Sequence, residues 1–107
     1  MSFIAEARVP TTSGRRYVGQ LLKHWAHSLA VIETDKGGMV TFPRDARGAD
    51  WSADALVSFR CDDDAILCRI EASAEGQLQG LKEAVARHLD RFAFREAPLP
   101  FGWQEQP

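Results

Sequence analysis

Three histidines, two cysteines and a run of three aspartates are the residues of this 107-residue chain best suited to chemistry. His24 and His27 stand three apart in Lys23-His24-Trp25-Ala26-His27, and His88 lies far along in His88-Leu89-Asp90-Arg91-Phe92. Imidazoles brought together hold Zn²⁺ or Fe²⁺ when a further donor joins them, or serve as general bases. An HxxH pair with no nearby cysteine does not define a metal centre. Serine–histidine pairs such as Ser13 with His24 lack the third, orienting group that a nucleophilic triad requires. The sequence therefore assigns no catalytic residue, no metal and no cofactor. His24, His27, His88 and Trp51 are its candidate ligand-binding residues.

Cys61 and Cys68 flank Asp62-Asp63-Asp64. On the two arms of a hairpin they are out of register for a disulfide, and both read as small buried hydrophobes in a reducing compartment. The aspartate run lacks the glycine and the downstream glutamate of an EF-hand loop, so it reads as a solvated turn.

Several elements must position these side chains. From Thr12 to Ser28 the chain reads as one amphipathic helix, with Tyr17, Val18, Leu21, Leu22 and Trp25 forming an apolar stripe. Thr11, Thr12 and Ser13 offer hydroxyls for its N-cap. By helical angle Trp25 points inward, His24 lies on the boundary and His27 outward. A second helix follows Ser73, whose hydroxyl can cap it, with Leu78, Leu81, Val85, Leu89 and Phe92 inward and His88 on its shoulder.

Strands occupy the rest. Phe3 to Val9 alternates and is stopped by Pro10. Leu29–Thr34 and Met39–Phe42 flank a hairpin turn at Asp35-Lys36-Gly37-Gly38, and Ala55–Cys61 and Ala65–Ala72 flank the aspartates. Arg44 to Ala53 reads as a polar loop with Trp51 folded onto the surface. The order β-α-β-β-β-β-α, with hairpins between the later strands, predicts an α+β two-layer sandwich. In it a mainly antiparallel sheet carries two helices on one face, in a TATA-binding-protein-like or helix-grip topology; a ferredoxin-like arrangement is the alternative. Residues 1–96 form the expected domain, and 97–107 a proline-rich tail whose end frays.

The 45% hydrophobic and 26% charged composition is that of a globular domain, and a net charge of −2 gives no field favouring nucleic acid or anionic lipid. MSFIAEARV has neither the basic region nor the long apolar run of a signal peptide, and no run could cross a membrane. The expected location is the cytoplasm.

KHWAH at 23–27 and HLDRFAFRE at 88–96, together with Glu6-Ala7-Arg8-Val9, resemble the bacterial domain of unknown function 2218 family over about residues 5–96. The resemblance implies a single bacterial domain without an assigned activity. It also implies a link to iron uptake, since similar domains occur fused to siderophore-interacting ferric reductases. The middle departs from the family pattern in its longer loop at Arg44–Ala53. The expected function is a non-catalytic binding or accessory module for a small molecule or protein, connected with iron or siderophores. One alternative is a small enzyme with His24 or His88 as general base. Another is a structural dimerisation domain, as the open sheet edges could pair in a homodimer.

Overall fold

A strand buried on one face must alternate, and the N-terminal segment does so without a break. In the computed structural model, which describes residues 2–106, β1 spans Phe3–Pro10 with Ala5, Ala7 and Val9 buried and Glu6 and Arg8 exposed. Met1 and Pro107, the first residue of the expected domain and the last of the expected tail, lie outside the described residues. Helix α1 (Gly14–Trp25) buries Tyr17, Val18, Leu21, Leu22 and Trp25, as the periodicity demands. It is shorter than Thr12–Ser28, because residues 26–28 close as a turn in which the Ser28 and Leu29 amides donate to the Trp25 carbonyl.

Strands β2 (Ala30–Thr34), β3 (Gly37–Phe42), β4 (Ala55–Cys61) and β5 (Ala65–Ala72) follow as a meander, and α2 covers Glu75–Phe92. The first hairpin turns more tightly than expected, since Gly37 and Gly38 already belong to β3. Gly37 lies where a Cβ would collide with the Phe59 carbonyl, at a φ of 156° that favours glycine. The sheet order is β2-β3-β4-β5-β1-β6, antiparallel throughout. Both helices pack on the face that carries Val40, Val57, Phe59, Ile66, Cys68 and Ile70. This is the expected α+β two-layer sandwich.

Two details, the helix caps and the tail, correct the sequence reading, and two more fill it in. Neither helix receives a side-chain N-cap. Thr11 instead accepts from the Ser13 amide, and Ser73 is drawn into bonds with Gln77 and Ala53, so the expected cap hydroxyls are engaged elsewhere. The hairpin register pairs Phe59 with Cys68 and Cys61 with Ile66, leaving both thiols buried and free. The tail does not fray over its described part. Leu99 and Phe101 are buried, Phe101 stacks on Trp103, and β6 (Gln104–Glu105) pairs with Ala5 and Glu6 of β1. Finally, the solvent-facing side of the sheet is not uniformly polar, because the paired residues Ile32 and Met39 are 65% and 37% exposed.

The closing segment is also anchored where α1 begins. The Glu96 carboxylate accepts from the Thr11 hydroxyl at 3.0 Å and from the Tyr17 hydroxyl. At the far end, Glu105 accepts from Lys82 and Gln79 of α2. The tail thus fastens both helices along the β1 side of the sheet.

Candidate functional site

The end of α1 and one flank of α2 are held apart by their own side chains. Trp25, 5% exposed, meets Phe42 edge-on at 5.1 Å between ring centroids and lies 5.3 Å from the His88 ring. His24 reaches across to His88 at 5.8 Å and to Phe92 at 6.1 Å. These rings close one end of a cleft of about 690 Å³ between the two helices and the segment after β3.

Helix α2 supplies the long wall. Gln77, Leu81, Ala84 and His88 follow one another at three- and four-residue spacing and line the cleft, as do Gly76, Gly80, Glu83 and Arg87 towards solvent. From Gly76 to His88 that flank runs about 18 Å at 1.5 Å per residue. A Cβ built on Gly80 meets nothing within 4 Å, so the cleft is open above that turn.

The loop expected at Arg44–Ala53 forms the remaining wall and is well tied. The Arg44 guanidinium donates to Asp50 and to the Trp51 carbonyl, while the Arg44 amide donates to Asp54. A 3₁₀ turn covers Ala46–Gly48. The buried Gln77 side chain accepts from the Ser73 amide and hydroxyl and donates to the Ala53 carbonyl at 3.0 Å, joining the loop to the first turn of α2. With its polar atoms so engaged, Gln77 is a structural brace. The Trp51 indole then rests on Gly76, its Cη2 only 2.9 Å from where a Cβ would stand. Its half-burial against a helix, not the open surface, explains why the loop holds its shape.

His24, His88 and Trp51 therefore line one cleft, whereas His27 is exposed and does not. The His88 Nδ1 lies 2.7 Å from the Ala84 carbonyl. A carbonyl can only accept, so Nδ1 carries a proton, and in the neutral ring Nε2 holds the lone pair. Among the described residues no group of three or more His, Cys, Asp or Glu side chains is arranged to hold a metal ion. The sequence reading passed over Arg87 and Gly80, although two glycines four apart inside one helix, Gly76 and Gly80, signal a flank where something approaches closely.

The thiols take no part in the cleft. Burial pushes both Cys61 and Cys68 above the ordinary thiol range, Cys68 with burial as its sole cause and Cys61 partly offset by the Arg15 charge. Inert thiols of this kind are core. Among the described residues no helix is long and apolar enough to cross a membrane.

Fold and cleft together define a two-layer α+β domain with a ligand-sized groove between its helices. The family model described as "Uncharacterized protein conserved in bacteria (DUF2218)" matches residues 6–104, and the chain belongs to that family. It is also similar to a solved structure described as the NMR structure of PA4090 from Pseudomonas aeruginosa. The two are 25% identical with a TM-score of 0.67, over 96% of this chain and 94% of that one. No curated protein matches the chain.

Proposed function

We propose that this domain is a non-catalytic binding module that takes a small molecule into the cleft between α1, α2 and the 43–51 loop. The observation that carries the reading is the cleft itself. About 690 Å³ lies within the 300–1,000 Å³ typical of ligand sites, its walls combine aromatic and apolar side chains with polar groups such as His24, Glu83 and Arg87, and its loop wall is braced in place. Iron or siderophore handling is the setting to test first, since domains similar to this one occur fused to ferric reductases.

Isothermal titration with Fe²⁺, Zn²⁺ and ferric siderophores of catecholate and hydroxamate type tests that setting. Heat from one of them, abolished in Gly80→Leu, is the expected result. The Gly80 Cβ direction is empty, so a leucine there fills the cleft without disturbing the core. No binding of any of them removes the iron setting. Absence of cleft binding across a broad small-molecule library, with Gly80→Leu indistinguishable from wild type, removes the module reading itself.

One observation favours a second reading, an enzyme with His88 as general base. The Nδ1 bond to the Ala84 carbonyl orients the ring and leaves Nε2 as the basic atom of a histidine lining the cleft. His88→Gln would then abolish turnover of a ligand while leaving its affinity within a fewfold. Unchanged recovery of every bound ligand over hours eliminates this reading.

A further inference from the structure

We infer that the cleft selects a flat aromatic acid, its ring laid across Gly80 and its carboxylate turned towards Arg87 and the imidazole of His24. The inference rests on the reading of the cleft as a ligand site and names the chemistry of its occupant.

Two features select a flat ring. The cleft is bounded by rings at both ends: Trp51 on Gly76 at one, and Trp25, His24 and His88 at the other. Between them α2 presents glycine at position 80 and alanine at 84, so a planar group can lie close to the helix surface. Stacked and edge-on ring contacts reward that shape beyond the area they bury.

Charge sets the ligand's polarity. Arg87, like Arg15, Arg16, Arg91 and Arg95, makes no ion pair or hydrogen bond with any described residue, and of these five it is Arg87 that lines the cleft. A guanidinium left open on a cleft wall matches a carboxylate in bidentate fashion. His24, from α1, lies 5.8 Å from His88 at the same end and brings an imidazole N–H donor from the facing helix. The acidic groups lining the cleft are Asp45, in the loop that carries Trp51, and Glu83, one turn before Arg87 on the same flank of α2. A carboxylate turned towards Trp51 would approach the loop that carries Asp45 and leave Arg87 behind, so the orientation towards Arg87 is favoured.

The test uses 2-naphthoate, its neutral isostere 2-naphthamide, and hexanoate as a non-aromatic acid, each titrated into the full chain and followed by amide and indole NMR shifts. Naphthoate is expected to bind about tenfold or more tightly than either comparison probe. It should shift the Trp51 indole and the His24, Gly80 and His88 amides. Arg87→Gln, at an exposed position, is expected to reduce the naphthoate preference over naphthamide to near unity, and Gly80→Leu to abolish binding of both. Equal binding of acid and amide in the cleft overturns the acid assignment and leaves the binding-module reading standing. So does an undiminished preference in Arg87→Gln. Tighter binding of hexanoate than of naphthoate overturns the flat-ring assignment alone. No shift with any probe, together with no cleft ligand in the library of the preceding section, overturns both.

Discussion

Gly76 and Gly80 lie one turn apart on the same flank of α2, and alanine at each should act with opposite sign. At Gly80 a Cβ meets nothing within 4 Å, so the substitution removes only the cost of glycine in a helix interior, about 0.8–1.0 kcal/mol. For 107 residues, with an unfolding entropy near 2.1 cal/mol/K per residue, that gain raises Tm by about 4 °C. At Gly76 the added carbon would stand 2.9 and 3.4 Å from two Trp51 ring carbons, inside ordinary contact distance. The indole is rigid and Trp51 is tied through its amide and carbonyl to Arg44, so the ring cannot yield without moving the loop. Overpacking costs about 1–3 kcal/mol in a core. A half-buried contact belongs at the low end, and the helix-propensity gain is smaller in a first turn, so a net loss of about 1 kcal/mol is expected. Thermal and urea unfolding measure both values, and the Trp51 indole shift reports whether the ring has moved. Equal stabilisation by the two alanines would refute the seating of Trp51 on α2. A destabilising Gly80→Ala would refute the open cleft above that turn.

Three other outcomes follow from features away from the cleft. Tyr17→Phe should cost about 1 kcal/mol and Glu96→Ala more, since the latter also loses the Thr11 bond, with a coupling of about 1 kcal/mol in a double-mutant cycle for the bond they share. Additive losses would deny that bond. Cys61 and Cys68 should resist alkylation at pH 8 until the chain unfolds, and labelling of the native protein would contradict their burial. Because the folded state keeps both thiols protonated while the unfolded state releases protons near the ordinary value of 9.0, stability should fall as pH rises through and above that value. At the tail, hydrogen bonds from Lys82 and Gln79 hold the Glu105 carboxyl below its ordinary 4.5. Folding favours that carboxylate, so its hold is present above pH 4.5 and weakens as pH falls through the lowered value. The protection of the Gln106 amide, which donates to Ile4, relative to its intrinsic exchange rate should therefore fall there; constant protection down to pH 2 would argue against the clamp.

The architecture was legible because its two periods are clean. Ala5, Ala7 and Val9 alternate, Leu21, Leu22 and Trp25 recur at helical spacing, and every buried position among them lies on the packed face. The tail was less legible because β6 is two polar residues, Gln104 and Glu105, without any alternation. It is held by Leu99 and Phe101, whose apolar character in a proline-rich stretch was the available signal. The N-caps misled for another reason: the hydroxyls at Thr11 and Ser73 serve distant partners, Glu96 and Ala53, that no local pattern announces. At the cleft, helical angle separated outward His27 from His24, and the clustering of His24 with His88 followed from placing both helices on one face. Arg87 carried no signal in the sequence, since only the packing of the loop against Gly76 turns that flank of α2 into a wall.

The position of β1 between β5 and β6 has a consequence for how the chain is made. Its partners are Ala65–Ala72 and Gln104–Glu105, so the first strand synthesised is the last that can be paired on both sides. The β2–β5 meander needs only its own turns and can assemble as it emerges. At about 5–20 residues per second, Phe3–Pro10 waits on the order of several seconds for β5. During that interval the charges of Glu6 and Arg8, at alternate positions, disfavour edge-to-edge pairing of a strand whose two edges are still open.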